Sequence, residues 1–201
     1  MTTNPFTPLL LATHNLGKVR EYLELLTDIP FVLTSLGSEG ITQDIEETGE
    51  SFEDNARIKA EAYAKLSGMF AFADDSGLEV DALSGRPGVH SARYGGHNLT
   101  DEERVLLLLK NLDNVPWDQR TARFRCVIAI AGPGLETKTV NGSVTGIIQY
   151  EPIGDNGFGY DPVFFLPSLG RTTAELLPEE KNAISHRGKA ARKARNLLLA
   201  M

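Results

Sequence analysis

Residues 8–26 read PLLLATHNLGKVREYLELL, and this stretch decides the fold. Its first part, residues 8–13 (PLLLAT), is a short apolar run with the character of a buried strand. From Lys18 onward, Val19, Tyr22, Leu23 and Leu26 recur at helical spacing. A polar turn separates the two, so the order is strand, turn, helix. Working outward, Ser51 followed by Asp54 reads as the start of a second helix, with Phe52, Ala56, Lys59, Ala60 and Tyr63 along one face. The run MFAFA (69–73) is strand-like and ends in an acidic loop, Asp74-Asp75-Ser76-Gly77. Leu78, Val80 and Ala82 then alternate with polar neighbours, as in a half-buried strand.

Thr100 and Glu103 form a capping-box pattern ahead of the helix that holds residues 105–109. Residues 121–131 and 136–150 are strand candidates joined by Gly132-Pro133-Gly134, which predicts a hairpin. The segment GDNGFGYD (154–161) reads as a flexible loop carrying two aromatics. A closing helix from about Ser185 places Ala190, Ala191, Ala194, Leu197 and Leu198 on one side. A βα unit in front and a hairpin in the middle predict an α/β fold with a mixed sheet. No repeat or linker marks a boundary, so residues 1–201 are expected to form one domain, with room for two lobes.

With 41% apolar and 23% charged residues, the 201-residue chain is long enough to bury a core. The start, MTTNPFTPLLLATHN, lacks a basic n-region, and its apolar run is cut by Thr13, His14 and Asn15. A soluble, cytoplasmic protein without a signal peptide or membrane span is expected. The single cysteine, Cys126, rules out an internal disulfide framework and reads as a small buried hydrophobe. A net charge of −7 argues against a nucleic-acid partner, since general polyanion binding needs many cations to displace counterions. The charge is uneven: no acid follows Glu180, whereas Lys181, Arg187, Lys189, Arg192, Lys193 and Arg195 do. Either a solvated helix face or a local anion site accounts for that tail.

Several short segments are candidates for chemistry. Residues 13–18 (Thr13, His14, Asn15, Leu16, Gly17, Lys18) occupy the turn between strand and helix, where backbone N–H groups and the helix dipole favour a phosphate. The Walker A spacing is absent, and a plain N-capped turn fits the same residues. Glu46-Glu47 and Asp74-Asp75 offer hard oxygen ligands of the type that suits Mg²⁺. Two adjacent acids directly after MFAFA are costly unless a cation or N–H donors satisfy them. Phe158, Gly159, Tyr160 and Asp161 offer aromatic faces for a base, or alternatively core aromatics. Ser185-His186-Arg187 opens the last helix with donors that suit polar ligand edges, with Lys181 nearby in sequence. No GxSxG, HExxH or Cys/His pair supports covalent or zinc chemistry.

Taken in order, THNLGK (13–18), EETGESFEDNA (46–56), ADDSGLEVDAL with GRPGVHSARYGG (73–96), GFGYDPVFF (157–165) and EEKNAISHRGKA (179–190) resemble the blocks of the non-canonical purine NTP pyrophosphatase family, the ITPases or dITP/XTP pyrophosphatases. The resemblance runs nearly end to end. It implies a two-lobed mixed α/β fold with a nucleotide cleft between the lobes, a homodimer, and Mg²⁺-dependent hydrolysis of ITP, dITP or XTP to monophosphate and pyrophosphate. It implies that residues 13–18 and Ser76 hold the triphosphate. Asp75 would be proton acceptor and metal ligand, with Glu46 the second ligand and Glu47 an alternative. Phe158, Gly159, Tyr160, Asp161, Lys181, His186 and Arg187 would form the base and sugar pocket. His14 stands where relatives commonly have glycine. A Maf-like nucleotide pyrophosphatase is the runner-up, and a catalytically silent nucleotide sensor is the reading from another class.

Overall fold

The computed structural model describes residues 7–201. The leader reading of the chain start falls partly on residues 1–6, outside the described residues. Strand β1 (Pro8–Leu11), helix α1 (Leu16–Leu25) and strand β2 (Val32–Ser35) make the expected βα unit, completed as βαβ by a strand the apolar pattern did not reveal. Then come α2 (Phe52–Ser67), β3 (Phe70–Val80), α3 (Asp101–Asn111), β4 (Thr121–Gly132), β5 (Leu135–Ile148), β6 (Phe164–Leu166), β7 (Arg171–Thr172), α4 (Pro178–Ile184) and α5 (His186–Leu199). The seven strands are hydrogen-bonded in the order β2-β1-β3-β4-β5-β6-β7. β1 runs parallel to both neighbours, with Leu9 opposite Leu33 on one side and Phe70 on the other. The short strands β6 and β7 are antiparallel. A mixed sheet results.

Local chemistry explains the element boundaries. Ser51 accepts from the Asp54 N–H at the start of α2, and Gly68, at φ +70°, closes that helix in the left-handed conformation that side chains disfavour. Thr100 and Glu103 form the reciprocal capping box of α3. Pro133 and Gly134 alone separate β4 from β5, as a hairpin requires.

The chain divides into two compact units. The first holds the residues up to Asp75, Cys126–Gly142 and Arg187–Met201; the second holds Ser76–Arg125 and Ser143–His186. The first unit's core gathers Leu9, Leu11, Tyr22, Phe72, Cys126 and Ile128 with Ala190, Ala191, Ala194 and Leu198, the apolar side expected of α5. Cys126 is buried, as expected, and burial pushes its thiol up to about 12. The second unit's core is built on Leu78, Val80, Leu108, Phe124, Ile148, Tyr160, Val163 and Phe164. One expectation needs correction. Asp74, Asp75, Ser76 and Gly77 do not form a loop, because β3 continues through them without a break. Charged residues interrupt an apolar pattern on paper, but a strand can bury them where other parts of the fold supply counter-charges.

Candidate functional site

In the first unit, Asn15 caps α1: its Oδ1 accepts the Lys18 N–H at 3.0 Å, and the Asn15 N–H reaches Thr13 Oγ1 at 3.2 Å. The first-turn N–H groups of Leu16 and Gly17 have no carbonyl partner four residues back inside the helix. The turn is therefore a plain capped helix start and a donor-rich one together. His14 reaches the Gln43 carbonyl at 3.3 Å and the Tyr63 hydroxyl at 3.4 Å. The Lys18 ammonium lies 3.0 Å from Asp74 Oδ1.

Asp74 and Asp75 point into different surroundings although they are sequence neighbours. Asp74 is 1% exposed and faces Lys18 together with Arg187, whose Nη2 is 3.7 Å away. Burial alone would raise its pKa, but the charges of Lys18, Arg187 and Lys59 overcome that and hold its carboxyl well below the usual range. Asp75 is buried too, and there desolvation wins over the attraction of Lys59 and Lys18, so its pKa is raised. Asp75 is the one of the pair suited to take a proton.

Two residues that the sequence reading did not assign to the site hold Asp75. Asn55, fully buried on α2, donates from Nδ2 to Asp75 Oδ2 at 3.2 Å, while its Oδ1 accepts the Gly49 N–H at 2.8 Å. A Cβ on Gly49 would lie 2.7 Å from that Asn55 oxygen and 2.5 Å from the Asp54 Cβ, so only glycine permits the approach. Lys59, one turn along the same helix face, places its ammonium 2.6 Å from Glu47, 2.7 Å from the Asp74 carbonyl and 3.7 Å from Asp75. Burial lowers its pKa, yet Asp75, Glu47 and Asp74 raise it further, so it stays a cation. The available signal was a lysine on an otherwise buried helix face, which demands an acidic partner. The cluster brings in Glu47; Glu46 is exposed and outside it.

Arg187 is 2% exposed and pairs with Glu21 at 2.6 Å, its guanidinium 5.9 Å above the Tyr22 ring. Burial opposes its charge, and Glu21 and Asp74 more than restore it. The guanidinium expected at a base is thus also an ion-pair partner of acids in the first unit.

The remaining sequence candidates lie in the second unit, where Ser76 is half-buried in β3. Asp161 is buried and accepts from the Phe158 N–H at 2.9 Å, from Thr173 Oγ1 at 2.9 Å and from Lys181 Nζ at 2.5 Å. Lys181 also stands 5.0 Å over the Phe158 ring. Tyr160 belongs to the core, only 5% exposed, and donates its hydroxyl to the Ser91 carbonyl at 3.0 Å. Phe158 is half-buried. His186 stacks on Phe124 with ring centroids 4.7 Å apart and planes at 14°. Loop 154–161, expected to be flexible, is tied down at Phe158, Gly159, Tyr160 and Asp161.

Among the described residues no group of three or more His, Cys, Asp or Glu is gathered to hold a metal. Glu47 and Asp75, joined through Lys59, nevertheless fit an ion such as Mg²⁺, which takes one or two carboxylates and completes its shell with water and substrate phosphates. No helix among the described residues is long and apolar enough to cross a membrane.

Fold and site define an α/β protein in which a donor-rich helix start accompanies buried carboxylates threaded with cations. The chain belongs to the Ham1 family, whose model matches residues 9–197. It is 50% identical to the dITP/XTP pyrophosphatase of Bacillus subtilis (strain 168), over 95% of this chain and 96% of that one. The dITP/XTP pyrophosphatase of Geobacter sulfurreducens is likewise 50% identical, over 92% of each chain. Among solved structures, a HAM1 protein from Coxiella burnetii superposes with a TM-score of 0.89 at 44% identity, covering 98% of this chain and all of that one.

Proposed function

We propose that this chain hydrolyses non-canonical purine nucleoside triphosphates, of the ITP, dITP and XTP type, to the monophosphate and pyrophosphate. The observation that carries the reading is the Asp75 cluster: a buried carboxylate with a raised pKa, oriented by Asn55 and flanked by Lys59 and Glu47. Half-identity to dITP/XTP pyrophosphatases over nearly the whole chain supports the substrate class. Residues 1–201 act in this reading as one catalytic domain, cytoplasmic and homodimeric.

Asp75 takes the proton of a water that attacks the α-phosphorus; the bond to the α,β-bridging oxygen breaks, and pyrophosphate leaves with that oxygen. The turn at residues 13–18, with Ser76, holds the triphosphate, and Lys18 and Lys59 offset its charge. Glu47 and Asp75 would hold Mg²⁺, with Glu46 adjacent, and the ion supplies further charge neutralisation when bound. Phe158 stacks on the base. Gly159, Tyr160, Asp161 and Lys181 fix that ring, and His186 and Arg187 supply donors for the polar edge of the base. Hypoxanthine and xanthine carry an O6 acceptor and an N1–H where adenine has an amino group and a bare N1, so donors placed for the former reject the latter.

Products decide the matter. With Mg²⁺, pyrophosphate release from ITP and XTP should far outpace release from ATP and GTP. Orthophosphate as the first product, or equal cleavage of ATP, defeats the proposal.

A further inference from the structure

Loop 154–161 is held by anchors of two kinds. Asp161 with Lys181 and Thr173, and the Tyr160 hydroxyl on the Ser91 carbonyl, are buried and belong to the framework of the second unit. The other anchor faces solvent. Gly159, at φ +62°, donates its N–H to Asp101 Oδ2 at 3.0 Å, and Asp101 is the first residue of α3, far away in sequence. The amide that Asp101 receives is the peptide group joining Phe158 to Gly159, so the contact fixes the backbone plane directly after the Phe158 ring.

Asp101 is itself held in place. Its Oδ1 accepts from Arg104 Nη1 at 3.1 Å, and Arg104 donates in turn to the Leu99 carbonyl at 2.9 Å. The capping box of Thr100 and Glu103 defines the helix start on which it sits. We infer that Asp101 is a positioning residue, a latch through which the start of α3 sets the orientation of Phe158 for the purine base. This rests on the reading of Phe158 as the base-stacking ring. A competing account is that Asp101 merely complements the helix dipole, as any acid in the first turn of α3 would. Glu102 is such an acid and separates the two roles.

Four variants, Asp101→Ala, Asp101→Asn, Glu102→Ala and Phe158→Ala, would be compared by steady-state kinetics on ITP and by amide hydrogen exchange at Gly159. Loss of one hydrogen bond should raise KM about threefold to tenfold in Asp101→Ala with little change in kcat, and the Gly159 amide should exchange faster. Asp101→Asn keeps an acceptor oxygen and should restore both. Glu102→Ala should change neither. Unchanged Gly159 exchange in Asp101→Ala, or equal effects of Asp101→Ala and Glu102→Ala, overturns the latch. If instead Phe158→Ala leaves KM untouched, the base-stacking reading fails on its own account, while Gly159 exchange still decides whether Asp101 holds the loop.

Discussion

Each unit of this protein buries carboxylates, and each neutralises them differently. In the second unit, Asp161 receives one ammonium, one backbone amide and one hydroxyl, all inside hydrogen-bonding distance. In the first, Asp74 and Asp75 meet cations drawn from three separate places in the chain, at Lys18, Lys59 and Arg187. Asp74 has Lys18 at 3.0 Å, whereas the Lys59 ammonium stands 3.7 Å from Asp75. Desolvation therefore outweighs the attraction of the cations at Asp75 and raises its pKa, which suits it to hold a proton. In the proposed mechanism Asp161 and Asp74 hold structure, and Asp75, with its raised pKa, is the group that takes the proton.

The strongest way to break that comparison is to neutralise the two neighbours in β3 separately. Asp75→Asn should lower kcat by a factor of about 10² to 10⁴ while the fold survives. Its effect on stability should have the opposite sign. A carboxyl whose pKa is raised on folding contributes stability at low pH and loses it as pH rises through the folded value, so at pH 7 in metal-free buffer the asparagine variant should melt higher than wild type. Asp74 is the reverse: its depressed pKa contributes stability above the ordinary aspartate range and loses it as pH falls through the folded value. Asp74→Asn should therefore cost about 3 to 5 kcal/mol at pH 7, because it strands buried cations. Its deficit should shrink as pH falls below about 4, the ordinary value for an aspartate. Denaturation curves across pH check both signs, and two variants that shift in the same direction at pH 7 would erase the distinction.

A second test sharpens the contrast between the units. Asp161→Ala leaves Lys181 buried without its carboxylate, and the expected loss is again about 3 to 5 kcal/mol of stability. Here no gain in stability should accompany any loss of activity. Chemical denaturation with activity measured on the remaining folded fraction distinguishes a framework residue from a reacting one.

The smallest effects should come from the aromatics. Phe158→Ala removes a stacking face worth about 1 to 3 kcal/mol, which should appear as a higher KM for every base, with stability nearly kept. Tyr160→Phe removes only the hydroxyl bonded to the Ser91 carbonyl and should cost about 1 kcal/mol of stability with KM unchanged. A rise in KM for Tyr160→Phe matching that of Phe158→Ala would mean that the Tyr160 hydroxyl serves the substrate as well as the framework.

Much of this molecule follows from the order of its residues alone. The opening strand-turn-helix, the caps at Ser51 and Thr100, the hairpin at Pro133-Gly134 and the apolar side of α5 rest on periodicity and on contacts within a few residues, and the structure has each of them. Lys18, Asp75 and Phe158 also stood out, because unusual residue types beside glycines or apolar runs call for a chemical reason. Tertiary structure decided the remainder. β3 continues through Asp74 and Asp75 because Lys18, Lys59 and Arg187, remote in sequence, neutralise the acids there. The choice of Glu47 over its neighbour in the cluster was set by where Lys59 projects from α2, and Asn55 reached Asp75 only because Gly49 has no side chain to bar it. Short strands such as β2, β6 and β7 carry too few residues to show a period, and whether Phe158 or Tyr160 faces inward depends on the Ser91 carbonyl 69 residues away. Local spacing encodes elements and caps, but the burial of a charge is settled only by partners that folding brings from elsewhere in the chain.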